Sequence, residues 1–331
     1  MKRLTLFPAL ALWLPGLALA GAAMAAATAP AAASRTLKIA TWNLDWLLAP
    51  ATFNELAKRC TRADATRRPQ RSIPCDVAAD LERSASDFAT LARRARELDA
   101  DVVALQEVDG PSAARLVFRD HEFCFSASAV VQNTGFAIRR GVPFRCAQDW
   151  KSLSMGDSLR RGAVVVLYPD TPNELWLMDV HLKSGCARGL LDRDEEACRK
   201  LGRQVPHLES WIDAQARSAH RFVVLGDFNR DLLHEQGAAR DEQGRQRNLW
   251  AEIDDGEPAN LQLFDSAVNQ RFANCTPGQA HNGFIDYIVL GGGAKTRWIP
   301  GSFEQLTWSA RDAWRRTLSD HCPIAVRLKL W

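Results

Sequence analysis

Carboxylates, amides and two histidines recur in this chain where apolar runs hand over to polar ones. Asn43 and Asp45 sit in Thr41-Trp42-Asn43-Leu44-Asp45, Glu107 in Leu105-Gln106-Glu107, and His181 in Asp179-Val180-His181-Leu182-Lys183. Asp227 and Asn229 follow in Gly226-Asp227-Phe228-Asn229, Asp286 in Ile285-Asp286-Tyr287, and Asp320 and His321 in Ser319-Asp320-His321-Cys322-Pro323. One acid after a strand is usually a turn or capping residue. Repeated across one domain, these groups form a set that chemistry can use. Acids and amides offer hard oxygens to a divalent cation, and imidazoles exchange protons near neutral pH. Polar groups at strand ends, with loops as the open mouth, are how a site is built on a rigid sheet.

The elements that must position these groups can be read from periodicity. Thr36–Leu48 opens as a strand in which Leu37, Ile39 and Thr41 share a face. Strands are predicted over Asp101–Val108, Phe123–Ser128, Gly135–Arg139, Gly162–Tyr168, Leu175–Leu182, Arg221–Gly226, Phe284–Leu290 and Pro323–Leu330. Leu81, Phe88, Leu91, Ala95 and Leu98 recur at helical spacing and predict a helix over Ala79–Leu98. Leu208, Trp211 and Ile212 predict a second over Arg203–Ala216. Pro50–Asp76 reads as a polar, disulfide-pinned loop, and Leu232–Ala259 as a charged excursion. Helices and strands intermix with no linker or repeat, which predicts one α/β domain of mixed sheets covered by helices.

The N-terminus has a different character. Lys2 and Arg3, the apolar run Leu4–Ala20 broken by Pro8 and Pro15, and A-x-A sites read as a secretory signal, with Ala-rich sequence to residue 33. The catalytic domain is then 34–331, and the protein is expected to be secreted or periplasmic, with no stable membrane insertion and no obligate protein partner. The chain holds 42 Lys and Arg against 39 Asp and Glu, so losing Lys2 and Arg3 lowers its net charge from +3 to +1. A nucleic-acid substrate would therefore need locally gathered cations. Eight cysteines behind an export signal suggest disulfides. Short gaps favour Cys60–Cys75, Cys124–Cys146 and Cys186–Cys198, leaving Cys275–Cys322.

The motifs T-W-N-L-D, L-Q-E-V, G-F-A-I, H-L-K, G-D-F-N, I-D-Y-I and S-D-H-C-P-I, spanning Thr41 to Ile324, resemble the endonuclease/exonuclease/phosphatase superfamily with its deoxyribonuclease-I-like fold. The resemblance implies a four-layer sandwich: two mixed β-sheets packed face to face, with helices outside. It also implies phosphate-ester hydrolysis with Mg2+, or Mn2+ or Ca2+. Glu107 is then a metal ligand, with Asn43 and Asp320 in the same site and Asp45 as a further ligand or support. His321, oriented by Asp286, activates water or holds the phosphate. Asp227 aligns the water, Asn229 donates to transition-state oxygens, and His181 protonates the leaving oxygen or binds phosphate. The opposite assignment of the two histidines remains open. Lys183 and Arg161 are candidate phosphate contacts, with Arg139, Arg140 and Arg160 weaker ones. Trp298, Trp308 and Trp314, which flank the last motif, are either core or stacking groups.

The leading expectation is a nuclease that cleaves DNA, with RNA as a second candidate substrate. The second is a phospholipid or small phosphate-ester hydrolase. It is weakened because no long hydrophobic hairpin is present and leucine, not W-x, precedes G-D-F-N. A non-catalytic binding domain is the third, and it sits poorly with a motif set in which every expected position is filled.

Overall fold

The computed structural model describes Met1 and residues 36–62, 71–236, 248–279 and 281–330. The export segment expected over residues 1–33 lies, apart from Met1, outside them.

Two strands run parallel at the centre of each sheet. In the first, β1 (Thr36–Leu47) lies beside β2 (Val102–Val108). Antiparallel β12 (Ile324–Lys329) flanks β1, and β4 (Asn133–Arg139) flanks β2. The edges are β11 (Glu304–Gln305) and β3 (His121–Phe125). In the second, β7 (Leu175–His181) and β8 (Phe222–Asp227) are parallel. Outside them lie β6 (Ala163–Leu167) and β5 (Phe144–Cys146) on one side, and β10 (Asp286–Gly291) and β9 (Phe264–Asp265) on the other. Parallel neighbours require a crossover. Helices α1 (Pro50–Ala57), α2 (Cys75–Asp80) and α3 (Ala85–Leu98) cross from β1 to β2, and α5 (Glu196–Arg217) crosses from β7 to β8. Each crossover brings two strand C-termini to the same edge of its sheet.

Side chains alternate along β1 and β2. Leu37, Ile39, Val102 and Ala104 belong to the core between the sheets, while Ala40, Trp42, Leu44, Val103 and Leu105 pack with Leu91 and Leu98 of α3 and with α4 (Pro111–Val117). The period of two therefore buries both faces, as a four-layer sandwich requires. On the second sheet α5 covers the outer layer through Leu201, Val205, Leu208, Trp211 and Ile212.

Several expectations need correction. The stretch read as a loop from Pro50 begins as α1, because Pro50 takes the first helical turn, where a missing N–H is harmless, and Phe53 and Leu56 are buried. The single helix over Ala79–Leu98 is two. Ser84 starts α3 with a reciprocal cap, accepting from the Asp87 N–H at 3.2 Å while its own N–H donates to Asp87 Oδ2 at 2.7 Å. Helix α5 starts at Glu196, earlier than the charged sequence suggested, because Cys198, Leu201 and Val205 continue the buried stripe. Within the excursion after Leu232, α6 (Leu232–Glu235) and α7 (Leu249–Ile253) are ordered elements. The four expected disulfides, Cys60–Cys75, Cys124–Cys146, Cys186–Cys198 and Cys275–Cys322, are all present.

Candidate active site

Beneath the strand ends a polar clamp ties the sheets together. Asp179 of β7 is fully buried and accepts from Gln106 Nε2 of β2 at 2.5 Å and from the Gly135 N–H of β4 at 2.8 Å; Gln106 also bonds Thr41 of β1. Burial pushes the Asp179 carboxyl well above the usual range, against these hydrogen bonds. Two residues beyond Asp179 stands His181, one beyond Gln106 stands Glu107, and two beyond Thr41 stands Asn43. The clamp therefore sets where these candidate side chains emerge.

Register and sheet packing bring them together. Asp227 pairs with His181 across the parallel ladder and with Asp286 across the antiparallel one. From the other sheet, Asn43 Nδ2 donates to Asp227 Oδ2 at 3.0 Å and approaches Glu107 Oε1 at 3.4 Å. His181 Nε2 lies 3.5 Å from Asp227 Oδ2 and 3.6 Å from Glu107 Oε1. His321 Nδ1 donates to Asp286 Oδ2 at 2.7 Å. The Asn229 N–H donates to Asp227 Oδ1 at 2.8 Å, and its side-chain amide donates to Leu182 O at 3.2 Å. Asn229 thus reaches the site chiefly through Asp227. Positive φ angles at Asp45, Trp46, Glu107 and Asn229, between 45° and 61°, mark the strand exits as strained. The β1–β2 register shifts there as well, as bulges beside active sites often do.

The charges are arranged unevenly. Burial opposes a charge on His321, but Asp286, Asp227 and Asp320 outweigh it and hold its pKa well above the ordinary value. His181 is the reverse case: burial, then Arg160, His321 and Lys183, push it well below. Asp227 rises to about 7, chiefly by burial, with Asp286 adding to it and His321 opposing. Asp45 also rises to about 7, by burial and then by repulsion from Asp320 and Glu107.

A cation would relieve that repulsion. Asn43, Asp45, Glu107 and Asp320 offer the oxygen ligands that magnesium-like ions prefer. Asp45 is repelled by both Asp320 and Glu107, so the residues present fit such a group. Ligand atoms of Asp227, Asp286 and His321 also lie within 4.8 Å of one another. Two of these are already joined as a hydrogen-bonded pair, so we read this trio as a dyad facing an acid.

The outlying candidates separate. Arg161 turns away from the site to ion pairs with Asp157 at 2.9 Å and Asp149 at 3.4 Å. Arg160 takes the place expected for Arg161: it donates to Gln132 Oε1 at 2.9 Å, Gln132 in turn bonds Glu107, and Arg160 feels the charges of Glu107 and Asp227. Arg139 pairs with Asp99 and Asp101 at the opposite end of β4. Lys183 is near enough to Arg160 that, after burial, the latter's charge lowers its pKa. Trp308 packs on Trp42 within the core, Trp298 lies half-buried on Phe264 against it, and Trp314 is exposed. Two supports went unseen in the sequence. Gln132 carries no motif. Arg83, nearly buried, donates to the carbonyls of Leu44, Asp45, Trp46 and Leu318 and so joins the two loops that carry Asn43 and His321.

A model of the Endonuclease/Exonuclease/phosphatase family matches residues 40–321. The chain belongs to that family. Its members act on phosphoester bonds and generally use divalent metals. Solved structures in the same fold include TDP2 from Caenorhabditis elegans, with a TM-score of 0.54 and 12% identity over 89% of this chain and 75% of that one. TDP2 from D. rerio, complexed with a single-strand DNA product, gives 0.52 and 16% over 89% and 99%. A 3'-5' exonuclease from Neisseria meningitidis gives 0.50 and 16% over 89% and 100%. At these identities the likeness establishes the family's fold. No curated protein matches.

Proposed function

We propose that this protein is an exported, divalent-metal-dependent phosphodiesterase that cleaves nucleic acid. The observation that carries the reading is the convergence of strand-end groups from both sheets on one point, with the 2.7 Å His321–Asp286 pair facing Asp227. Asn43, Glu107 and Asp320, with Asp45, would hold the metal, which supplies charge neutralisation on the phosphoryl oxygens. Asp227, positioned by Asn229 and Asn43, takes the proton from the attacking water. A base poised near neutrality suits that work. His321, kept charged by Asp286, holds a phosphoryl oxygen. Of the roles open to it, its charge favours this one over water activation. Neutral His181 adds a hydrogen bond at the same group, and Arg160 and Lys183 attract the anionic substrate. Four disulfides support export to an oxidising compartment, and no helix of the described residues is long and apolar enough to cross a membrane. Nucleic acid is favoured among phosphodiesters because two structural relatives are a 3'-5' exonuclease and a TDP2 seen with a single-strand DNA product.

Supercoiled plasmid incubated with the protein and magnesium should be nicked, and chelator should stop the reaction. Sphingomyelin and inositol phosphates belong in the same assay. Turnover of either, with DNA untouched, would overturn the substrate assignment and leave the chemistry standing.

A further inference from the structure

A cavity of about 610 Å³ opens beside Asp45 and Asp320, and neither His321 nor Asp286 lines it. That size suits a nucleotide-scale ligand. Trp314, Arg316, Asp76 and Asp80 line it, and the loop at 276–279 forms another wall. Trp314 is 74% exposed, and apart from Met1 it is the one large hydrophobic side chain so displayed among the described residues.

This display is built, not frayed. Asp312 bonds Ser309 and Arg93, and Arg315 bonds Asp87 and Thr90 of α3. The indole is therefore held out between anchored neighbours. The wall at 276–279 is tethered as well, since Cys275 is joined to Cys322, the residue after His321.

We propose that this cavity is a subsite for one unpaired nucleobase flanking the scissile phosphate, stacked on Trp314. The proposal rests on the nuclease reading. Stacking on an indole needs a base out of its duplex. Exposed carboxylates at Asp76 and Asp80 would repel phosphate, but they accept hydrogen bonds from the exocyclic amino groups of cytosine, adenine and guanine. Thymine and uracil lack such a group. Arg316, 3.6 Å from Asp80 at the rim, is placed to meet a neighbouring phosphate. With four aspartates and two arginines in the lining, an indole with acids also suits a quaternary ammonium, and a phosphocholine titration separates the two ligands. The enzyme then prefers single-stranded or frayed nucleic acid, and amino-bearing bases at the flanking position.

The test uses the full protein and two single-stranded oligonucleotides, oligo-dC and oligo-dT, beside a duplex. Wild type should cleave oligo-dC with the lowest KM. Trp314→Ala should raise that KM about tenfold with kcat little changed, in line with base stacking of about 1–3 kcal/mol. Asp76→Asn with Asp80→Asn should erase the preference for dC over dT. Independently of turnover, dCMP in chelator should quench the fluorescence of wild type and not of Trp314→Leu. An unchanged KM in Trp314→Ala, or quenching by phosphocholine where dCMP gives none, would overturn the subsite. Failure of wild type to cut any oligonucleotide would instead reject the nuclease reading, and the dCMP titration would still decide the subsite.

Discussion

Replacing Asp286 with asparagine removes one negative charge from a pair whose side chains are each 9% exposed. The shape is kept, and only the charge assistance in the 2.7 Å bond to His321 is lost. A hydrogen bond to a charged partner is worth about 1.5–3 kcal/mol, which is roughly 10- to 150-fold in rate if it matters only in the transition state. Asp286→Asn should therefore lower kcat by that factor with KM nearly unchanged. His321→Ala should cost more, about 10²–10³, the usual loss for one donor to a transition-state oxygen. The double variant should be no slower than His321→Ala, because Asp286 acts through His321. The pH profile provides a second readout. His321 is held charged by its carboxylates, so the limb on which activity falls with rising pH should move to lower pH once Asp286 is neutral. Plasmid nicking under saturating magnesium, with circular dichroism to confirm folding, measures all of this. Additive losses in the double variant, or an Asp286→Asn enzyme at full rate while His321→Ala is crippled, would refute the dyad.

Other substitutions test the rest of the structure. Arg160→Ala should reduce kcat/KM at least tenfold, a loss of about 1.4 kcal/mol, while Arg161→Ala should leave it within about twofold; steady-state kinetics compare them directly, and equal effects would reject the assignment. Gly226→Ala should destabilise the fold by about 2–4 kcal/mol in urea melts, because a Cβ there would sit 2.0 Å from Val180 O and φ is +139°. Asp265 has its pKa raised from 3.8 to about 6 by burial. The folded state therefore prefers it protonated, and stability is lost as pH rises from about 4 through 6. Asp265→Asn, with Gln236 turning its amide to match, should add on the order of 2–3 kcal/mol at pH 7.5 and almost nothing at pH 4. A gain independent of pH would show that the carboxylate is not the cause.

The strand-end placement of the candidate site residues was legible in the sequence because it follows from local rules. A strand's alternation and its apolar-to-polar handover locate Asn43, Glu107, His181 and Asp227 at strand exits, and short cysteine gaps point to three of the disulfides. The helix start at Ser84 was equally local: its reciprocal cap with Asp87 was written in the residues, but the apolar spacing from Leu81 to Leu98 masked it. What the sequence could not contain is which groups face each other. Arg160 and Arg161 are adjacent and chemically identical. Only the entry into β6 sends one toward Glu107 and the other to Asp149 and Asp157. Trp298, Trp308 and Trp314 are likewise indistinguishable until packing buries Trp308, half-covers Trp298 and exposes Trp314. The ionisation of the two histidines also depends on neighbours that come from distant segments: His321 is held charged by Asp286, 35 residues away, and His181 neutral by burial between the sheets. Side-chain type and strand-end placement are properties of short segments, whereas charge state and direction depend on the field and packing that two sheets create when they close on each other.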